Sequence, residues 1–112
     1  MNISQSDSIY SIHEDDPIYI PLVGDFVRSI PGKKDEFTTA VNSADRKLML
    51  AQAHKFKGSF ATYGFSTIAE HFAKIEHVLK SETENDTYLK NTAFNNLIHE
   101  LWKMFAKMKS KN

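Results

Sequence analysis

Residues 45–64 read DRKLMLAQAHKFKGSFATYG, a run whose apolar residues recur at helical spacing. Asp45 can cap the first turn, with Ser43 as the alternative, because a short polar side chain accepts hydrogen bonds from exposed backbone amides. Gly64 follows as a stop, since glycine readily takes the left-handed conformation found after helix ends. The run therefore predicts a helix from about Asp45 to Tyr63.

The two faces of this helix differ in bulk. His54 falls on one face, and Gly58 lies one turn further along the same face. A glycine inside a helix costs about 1 kcal/mol relative to alanine, so it usually serves packing or access. Periodicity alone favours an ordinary exposed histidine at this position. The opposite face carries the large apolar side chains and is predicted to be core: Met49, Ala53, Phe56, Phe60 and Tyr63.

The rest of the chain predicts further helices. Apolar positions over residues 17–41 follow helical spacing, and Pro31 interrupts them because proline removes a backbone hydrogen bond and clashes with the previous turn. A third helix opens at Ser66 or Thr67, and a last helix covers about residues 88–109. We therefore predict an all-α fold, an antiparallel up-down four-helix bundle whose first helix is kinked or broken at Pro31.

Length and composition predict one domain that binds neither nucleic acid nor membrane. The 112 residues are 41% apolar, and 14 basic residues balance 14 acidic ones. The chain contains no cysteine, which suits the cytoplasm, and no apolar run approaches the roughly 20 residues that span a bilayer. Residues 1–16 are polar and read as a flexible N-terminal arm, which leaves 17–112 for the bundle.

Other sites carry weaker signals. Gly32-Lys33 lacks the remaining residues of a nucleotide-binding loop. The lysine-rich tail, residues 103–111, fits a solvated helix end, where cations favour the helix dipole. Helical metal sites pair ligands three or four residues apart, and that spacing is missing among three further histidines: His71, His77 and His99.

The string Ala53-His54-Lys55-Phe56-Lys57-Gly58-Ser59, with Gly64 beyond it, resembles the signature of histidine-containing phosphotransfer (HPt) domains of bacterial two-component phosphorelays. That signature has a phospho-accepting His, an apolar residue at +2, Lys at +3, Gly at +4 and a second Gly at +10. The resemblance covers about residues 17–105. Glu76 is similar to the family's downstream acidic residue, whereas Phe56 stands where Leu is usual and Phe60 is bulkier than the common residue.

The resemblance implies a phosphorelay intermediate. In such a protein, Nε2 of His54 accepts a phosphoryl group from a receiver-domain phospho-aspartate and passes it to another receiver aspartate. Lys57 is the first candidate to stabilise the phosphoryl group, and Gly58 leaves room for the partner. Helical geometry around the histidine adds a set of expected partner-binding residues: Lys47, Leu50, Lys55 and Ala61.

The same resemblance implies a carrier with no nucleotide-dependent kinase activity and no cofactor of its own. Mg²⁺ is expected from the partner, a response-regulator receiver domain, and a hybrid sensor histidine kinase is a second candidate partner. We expect a monomer, although some histidine-bearing bundles dimerise. The initiating Met1 and the single-domain length favour a free-standing protein. The alternative function is a bundle of HPt shape that carries no phosphate and acts as an interaction module; the intact His-x-x-Lys-Gly argues against it.

Overall fold

The computed structural model describes residues 8–81 and 92–110. Apart from one backbone bridge between Ile9 and Met108, these residues form no strand, so the fold is all-helical as predicted. Among them, no helix combines the length and the apolar character that crossing a bilayer requires. The helices follow one another in the order α1 (Ile20–Arg28), α2 (Ile30–Asn42), α3 (Arg46–Thr62), α4 (Ser66–Ser81) and α5 (Thr92–Lys107).

The region predicted as the first helix contains both α1 and α2, and Ser29 separates them. The backbone N–H of Ser29 donates to the carbonyl oxygens of Asp25 and Phe26, which closes α1. Pro31 lies in the first turn of α2, where its missing N–H leaves no helical hydrogen bond unmade. The interruption of the predicted first helix therefore falls just before Pro31.

The predicted up-down arrangement of the four-helix bundle stays a prediction.

Both ends of α3 form as the sequence predicts. The Asp45 carboxylate accepts from the backbone N–H of Leu48 at 3.0 Å, so Asp45 is the cap and Ser43 is not. At the other end, Gly64 has a φ of 86°, in the left-handed region. A Cβ added there would clash with Ser11 Oγ, so this turn requires glycine for two reasons.

The segment at residues 8–16 is attached to the bundle. Its backbone pairs with the end of α5, because the N–H of Ile9 donates to the Lys107 carbonyl at 2.7 Å. Its next turn reaches the end of α3, where Ser11 Oγ donates to the Tyr63 carbonyl at 2.6 Å. These bonds limit the predicted flexible arm, whose first seven residues lie outside the described ones.

Closely packed aromatic rings hold the inner face of α3. Phe60 lies among the rings of Phe26, Phe72 and Phe105, with centroids 4.9, 5.3 and 5.5 Å away. Tyr63 is half-buried and stacks on Phe26 at 4.5 Å. The opposite face of α3 is thereby turned outward. The remaining members of the predicted core face are at most 1% exposed, as expected: Met49, Ala53, Phe56 and Phe60.

Candidate functional site around His54

His54 lies on the outward face of α3 and is open to solvent. Its side chain is 72% exposed, which confirms the predicted exposure. A Cβ added to Gly58, one turn further on, would meet nothing within 4 Å. Ala51, about one turn before the histidine, is exposed as well. Small residues therefore flank the imidazole on both sides along the helix and leave it accessible to a large partner.

The inner edge of the imidazole contacts a buried acid on the neighbouring helix. Nδ1 of His54 lies 3.3 Å from Oε2 of Glu76, which belongs to α4. The Glu76 side chain is only 8% exposed. A carboxylate with so little access to water needs compensating partners.

Two lysines provide that compensation from different helices. Lys57 of α3 places its Nζ 2.8 Å from Oε1 of Glu76. Lys80 of α4 places its Nζ 3.2 Å from Oε2 of the same carboxylate. Glu76 is thus the centre of a cluster that also contains His54, Lys57 and Lys80, which we call the Glu76 cluster.

The cluster keeps Glu76 ionised. The hydrogen bond from Lys57 is the largest cause that lowers the pKa of Glu76 to about 2; burial opposes this, while the hydrogen bond from Lys80 and the charges of both lysines assist it. At neutral pH the group is therefore a carboxylate that can only accept hydrogen bonds.

The ionised carboxylate fixes the tautomer of the histidine. Since Glu76 has no hydrogen to donate, the contact requires a hydrogen on Nδ1 of His54. In a neutral imidazole the other nitrogen, Nε2, then holds the free lone pair. The arrangement presents an oriented nucleophile on an exposed helix face.

Sequence reasoning identified His54 and Lys57 but missed the joint role of Glu76 and Lys80. A signal was present, because Glu76 and Lys80 are spaced four residues apart, the spacing at which opposite charges pair on a helix. The acid also adjoins an apolar stripe whose members are buried in α4: Ile68, Phe72, Ile75 and Leu79. An acid beside such a stripe needs a cation from a neighbouring element.

Lys55, the other lysine beside the histidine, contacts a different helix. Its Nζ lies 2.8 Å from Oε2 of Glu36 on α2, and both side chains are about half exposed. Glu36 also accepts from Nε2 of Gln52 at 3.4 Å. Lys55 therefore lies on the α2 side of the outward face, whereas Lys57 lies on the α4 side.

The other predicted partner-binding residues occupy the same general surface to different degrees. Lys47 and Ala61 are exposed, and Leu50 is half-buried against the core. Ala51, which shares the face of His54 and Gly58, was not predicted, although its spacing of three residues from the histidine indicates it. Their role in binding stays a prediction.

Two further histidines, His71 and His77, stand apart from this site. His71 is buried, and its Nε2 lies 2.7 Å from the Leu97 carbonyl, which gives it a structural role. His77 lines a cavity of about 560 Å³ between α4 and α5, which includes no member of the Glu76 cluster. Within residues 8–81 and 92–110, no group of three or more His, Cys, Asp or Glu side chains could hold a metal ion.

Comparison with family models, curated proteins and solved structures shows which family the chain belongs to. The family model of the Hpt domain matches residues 21–104, which include α2, α3 and α4 in full. Curated proteins and solved structures gave no match. Hpt domains are phosphotransfer carriers that interact with receiver domains in two-component signalling. Because the match covers most of its length, the chain belongs to the Hpt domain family.

Proposed function

We propose that this protein is a phosphorelay intermediate. His54 accepts a phosphoryl group from the phospho-aspartate of one receiver domain and passes it to the aspartate of another. The observation that carries the proposal is the contact between Nδ1 of His54 and the buried Glu76 carboxylate, in a ring that is 72% exposed. This contact leaves Nε2 as the nucleophile on the side of the ring open to a partner.

The transfer step balances at the imidazole. The Nε2 lone pair attacks phosphorus, the bond from phosphorus to the aspartyl oxygen breaks, and its electron pair returns to the aspartate carboxylate. The hydrogen on Nδ1 stays in place, so the phosphorylated ring carries a positive charge. Glu76 accepts a hydrogen bond from this N–H group and thereby stabilises the positive charge of the ring. Onward transfer to a second receiver is the reverse of this step.

Lys57 supports the negative part of the product. A phosphoryl group brings a charge of about −2 near neutral pH and three acceptor oxygens. Lys57 lies three residues after His54 on α3, and its side chain is 37% exposed. Its ammonium group is therefore a nearby cation, on the α4 side of the same helix, that can turn towards phosphoryl oxygens.

The outward face of α3 is the proposed docking surface. The open position at Gly58 lets the loops of a receiver domain approach the ring. Lys47, Leu50, Lys55 and Ala61 extend this surface around the histidine. A small, mixed apolar and polar patch suits a transient complex, in which the partner must leave after each transfer.

In the proposed relay, the receiver domain supplies the metal ion and the phosphorylated aspartate. We propose that Mg²⁺ is bound at the partner's aspartate site, as the resemblance to the family implies. A receiver within a hybrid sensor histidine kinase is a candidate donor, and a separate response regulator is a candidate acceptor. The proposed carrier acts as a monomer in the cytoplasm.

Transfer of label from a phosphorylated receiver tests the proposal. The chain is incubated with phosphorylated receiver domains and Mg²⁺, and acid-labile, base-stable label is followed on wild type and His54→Gln. The matched control is His99→Gln, since His99 is an exposed histidine on α5. Label on wild type and on the control, with none on His54→Gln, supports the relay.

Two outcomes would contradict the proposal. Equal labelling of His54→Gln and wild type places the acceptor elsewhere. No labelling from a panel of receivers favours the alternative, an interaction module of Hpt shape. Binding of receivers without transfer, measured by titration calorimetry, would identify that module directly.

A further inference from the structure

We propose that Lys80 is a positioning residue of this site. It stays paired with Glu76 and thereby allows Lys57 to leave that carboxylate for the phosphoryl group. The inference rests on the phosphotransfer proposed above and adds a residue to it.

The geometry of the Glu76 cluster separates the two lysines. Lys57 contacts Oε1 of Glu76 at 2.8 Å, whereas Lys80 contacts Oε2 at 3.2 Å. Oε2 is also the oxygen nearest to Nδ1 of His54. Since the two lysines hold different oxygens, one can depart while the other remains.

The two lysines differ in what they can reach. Lys57 shares α3 with His54 at a spacing of three residues, so both side chains lie on neighbouring positions of one helix. Lys80 shares α4 with Glu76 at a spacing of four residues, the spacing that favours their pairing. Local geometry therefore ties Lys80 to the acid and leaves Lys57 as the lysine that can turn to the histidine.

Charge balance explains why the second lysine is needed. If Lys57 were the only cation on Glu76, its move to the phosphoryl group would leave a carboxylate that is 8% exposed without a lysine partner. Removing one partner of a buried ion pair is strongly unfavourable. With Lys80 still in place, the Glu76 carboxylate remains compensated and continues to accept from Nδ1 of His54.

A double-mutant cycle on labelling of His54 tests this division of roles. Phosphoramidate serves as the phosphoryl donor, because it requires no receiver domain. Lys57→Met alone and Lys80→Met alone should each slow labelling roughly tenfold. In the Glu76→Gln background, Lys80→Met should cost less than about twofold more, because no carboxylate is then present for Lys80 to hold or for Lys57 to leave.

Two further variants serve as controls for the cycle. Lys80→Arg keeps the positive charge and should restore labelling to within about threefold of wild type. Lys74→Met removes an exposed lysine of the same helix, outside the Glu76 cluster, and should leave labelling unchanged.

A second measurement concerns the unphosphorylated protein. Carboxyl-carbon NMR follows the titration of Glu76, and Lys80→Met should raise the pKa of Glu76 above the wild-type value, because a hydrogen bond and a positive charge are lost. Lys80→Arg should return it towards wild type. A lysine with a merely structural role on the helix surface would leave this titration unmoved.

The outcomes separate this inference from the proposed relay. Multiplicative losses in the double variant, or an unchanged Glu76 titration in Lys80→Met, overturn the role of Lys80 alone. Labelling by phosphoramidate but not by receivers contradicts the relay, while the cycle still decides on Lys80. No labelling by either donor contradicts both.

Discussion

Oε2 of Glu76 lies 3.3 Å from Nδ1 of His54, although the two residues are 22 positions apart and belong to different helices. The contact joins a buried carboxylate to an exposed ring. It makes the nucleophilicity of an outward-facing side chain depend on a residue that is almost fully buried.

Replacement of Glu76 tests the tautomer argument. We expect Glu76→Gln to slow labelling of His54 roughly tenfold, because a neutral amide accepts more weakly than a carboxylate and its NH₂ can instead donate to Nδ1. Nitrogen-15 NMR of the imidazole should show a shift away from the Nδ1–H form. Glu70→Gln, at an exposed position of the same helix, is the control. An unchanged tautomer in Glu76→Gln would contradict the assignment.

The same acid predicts how stability depends on pH. The pKa of Glu76 is lowered from 4.5 to about 2, so its ionised form stabilises the folded state above pH 4.5, and this contribution is lost as the pH falls towards 2. Its size is about 2 kcal/mol, since the exposed lysine partners are screened by solvent. Urea unfolding at pH 6 and pH 3 should show the stability difference between wild type and Glu76→Gln shrinking at the lower pH. A constant difference would argue against the depressed pKa.

Substitution of Gly58 separates access from packing. Because a Cβ there meets nothing, Gly58→Ala should stabilise the helix by about 1 kcal/mol. Gly58→Glu should keep the helical circular-dichroism spectrum and slow transfer from a receiver roughly a hundredfold, because the side chain and its charge obstruct docking. Gly32→Ala, at an equally open helical glycine, should be stabilising without any effect on transfer. Unfolding of Gly58→Glu would show that the glycine serves packing.

Substitution of Gly64 should lower the stability of the protein, whereas Gly58→Ala should raise it. Its φ of 86° costs a residue with a side chain about 1–2 kcal/mol, and the added Cβ would also clash with Ser11. We expect Gly64→Ala to lower the free energy of unfolding by at least about 2 kcal/mol in urea titrations. Labelling per folded molecule should stay near wild type, because the turn is not part of the Glu76 cluster. A loss of labelling in fully folded protein would contradict this separation.

The parts of the structure that depend on local sequence were predictable. A cap at Asp45 or Ser43, the stop at Gly64 and the core face of α3 follow from side-chain chemistry and a period of about 3.6 residues. The exposure of His54 follows from the same period. These features require no knowledge of what packs on the helix.

The Glu76 cluster was not predictable in the same way. Periodicity places His54 and Lys57 on α3 and places Glu76 and Lys80 on α4, but it does not fix how far one helix slides or rotates against the other. The contact of segment 8–16 was hidden for another reason. Its serines and acids indicate a flexible arm, whereas its hydrogen bonds at Ile9 and Ser11 use backbone atoms and one small hydroxyl.

The aromatic packing beneath α3 has a consequence for recognition. Phe60 is fixed between rings on three other helices while His54, on the outward side of the same helix, faces solvent. Such a helix has little freedom to shift when another protein arrives. In the proposed relay, any adjustment during complex formation would then be made by the incoming protein, and the carrier would offer a preorganised surface to successive partners. One rigid template would thus select among partners by shape and charge, without changing its own conformation.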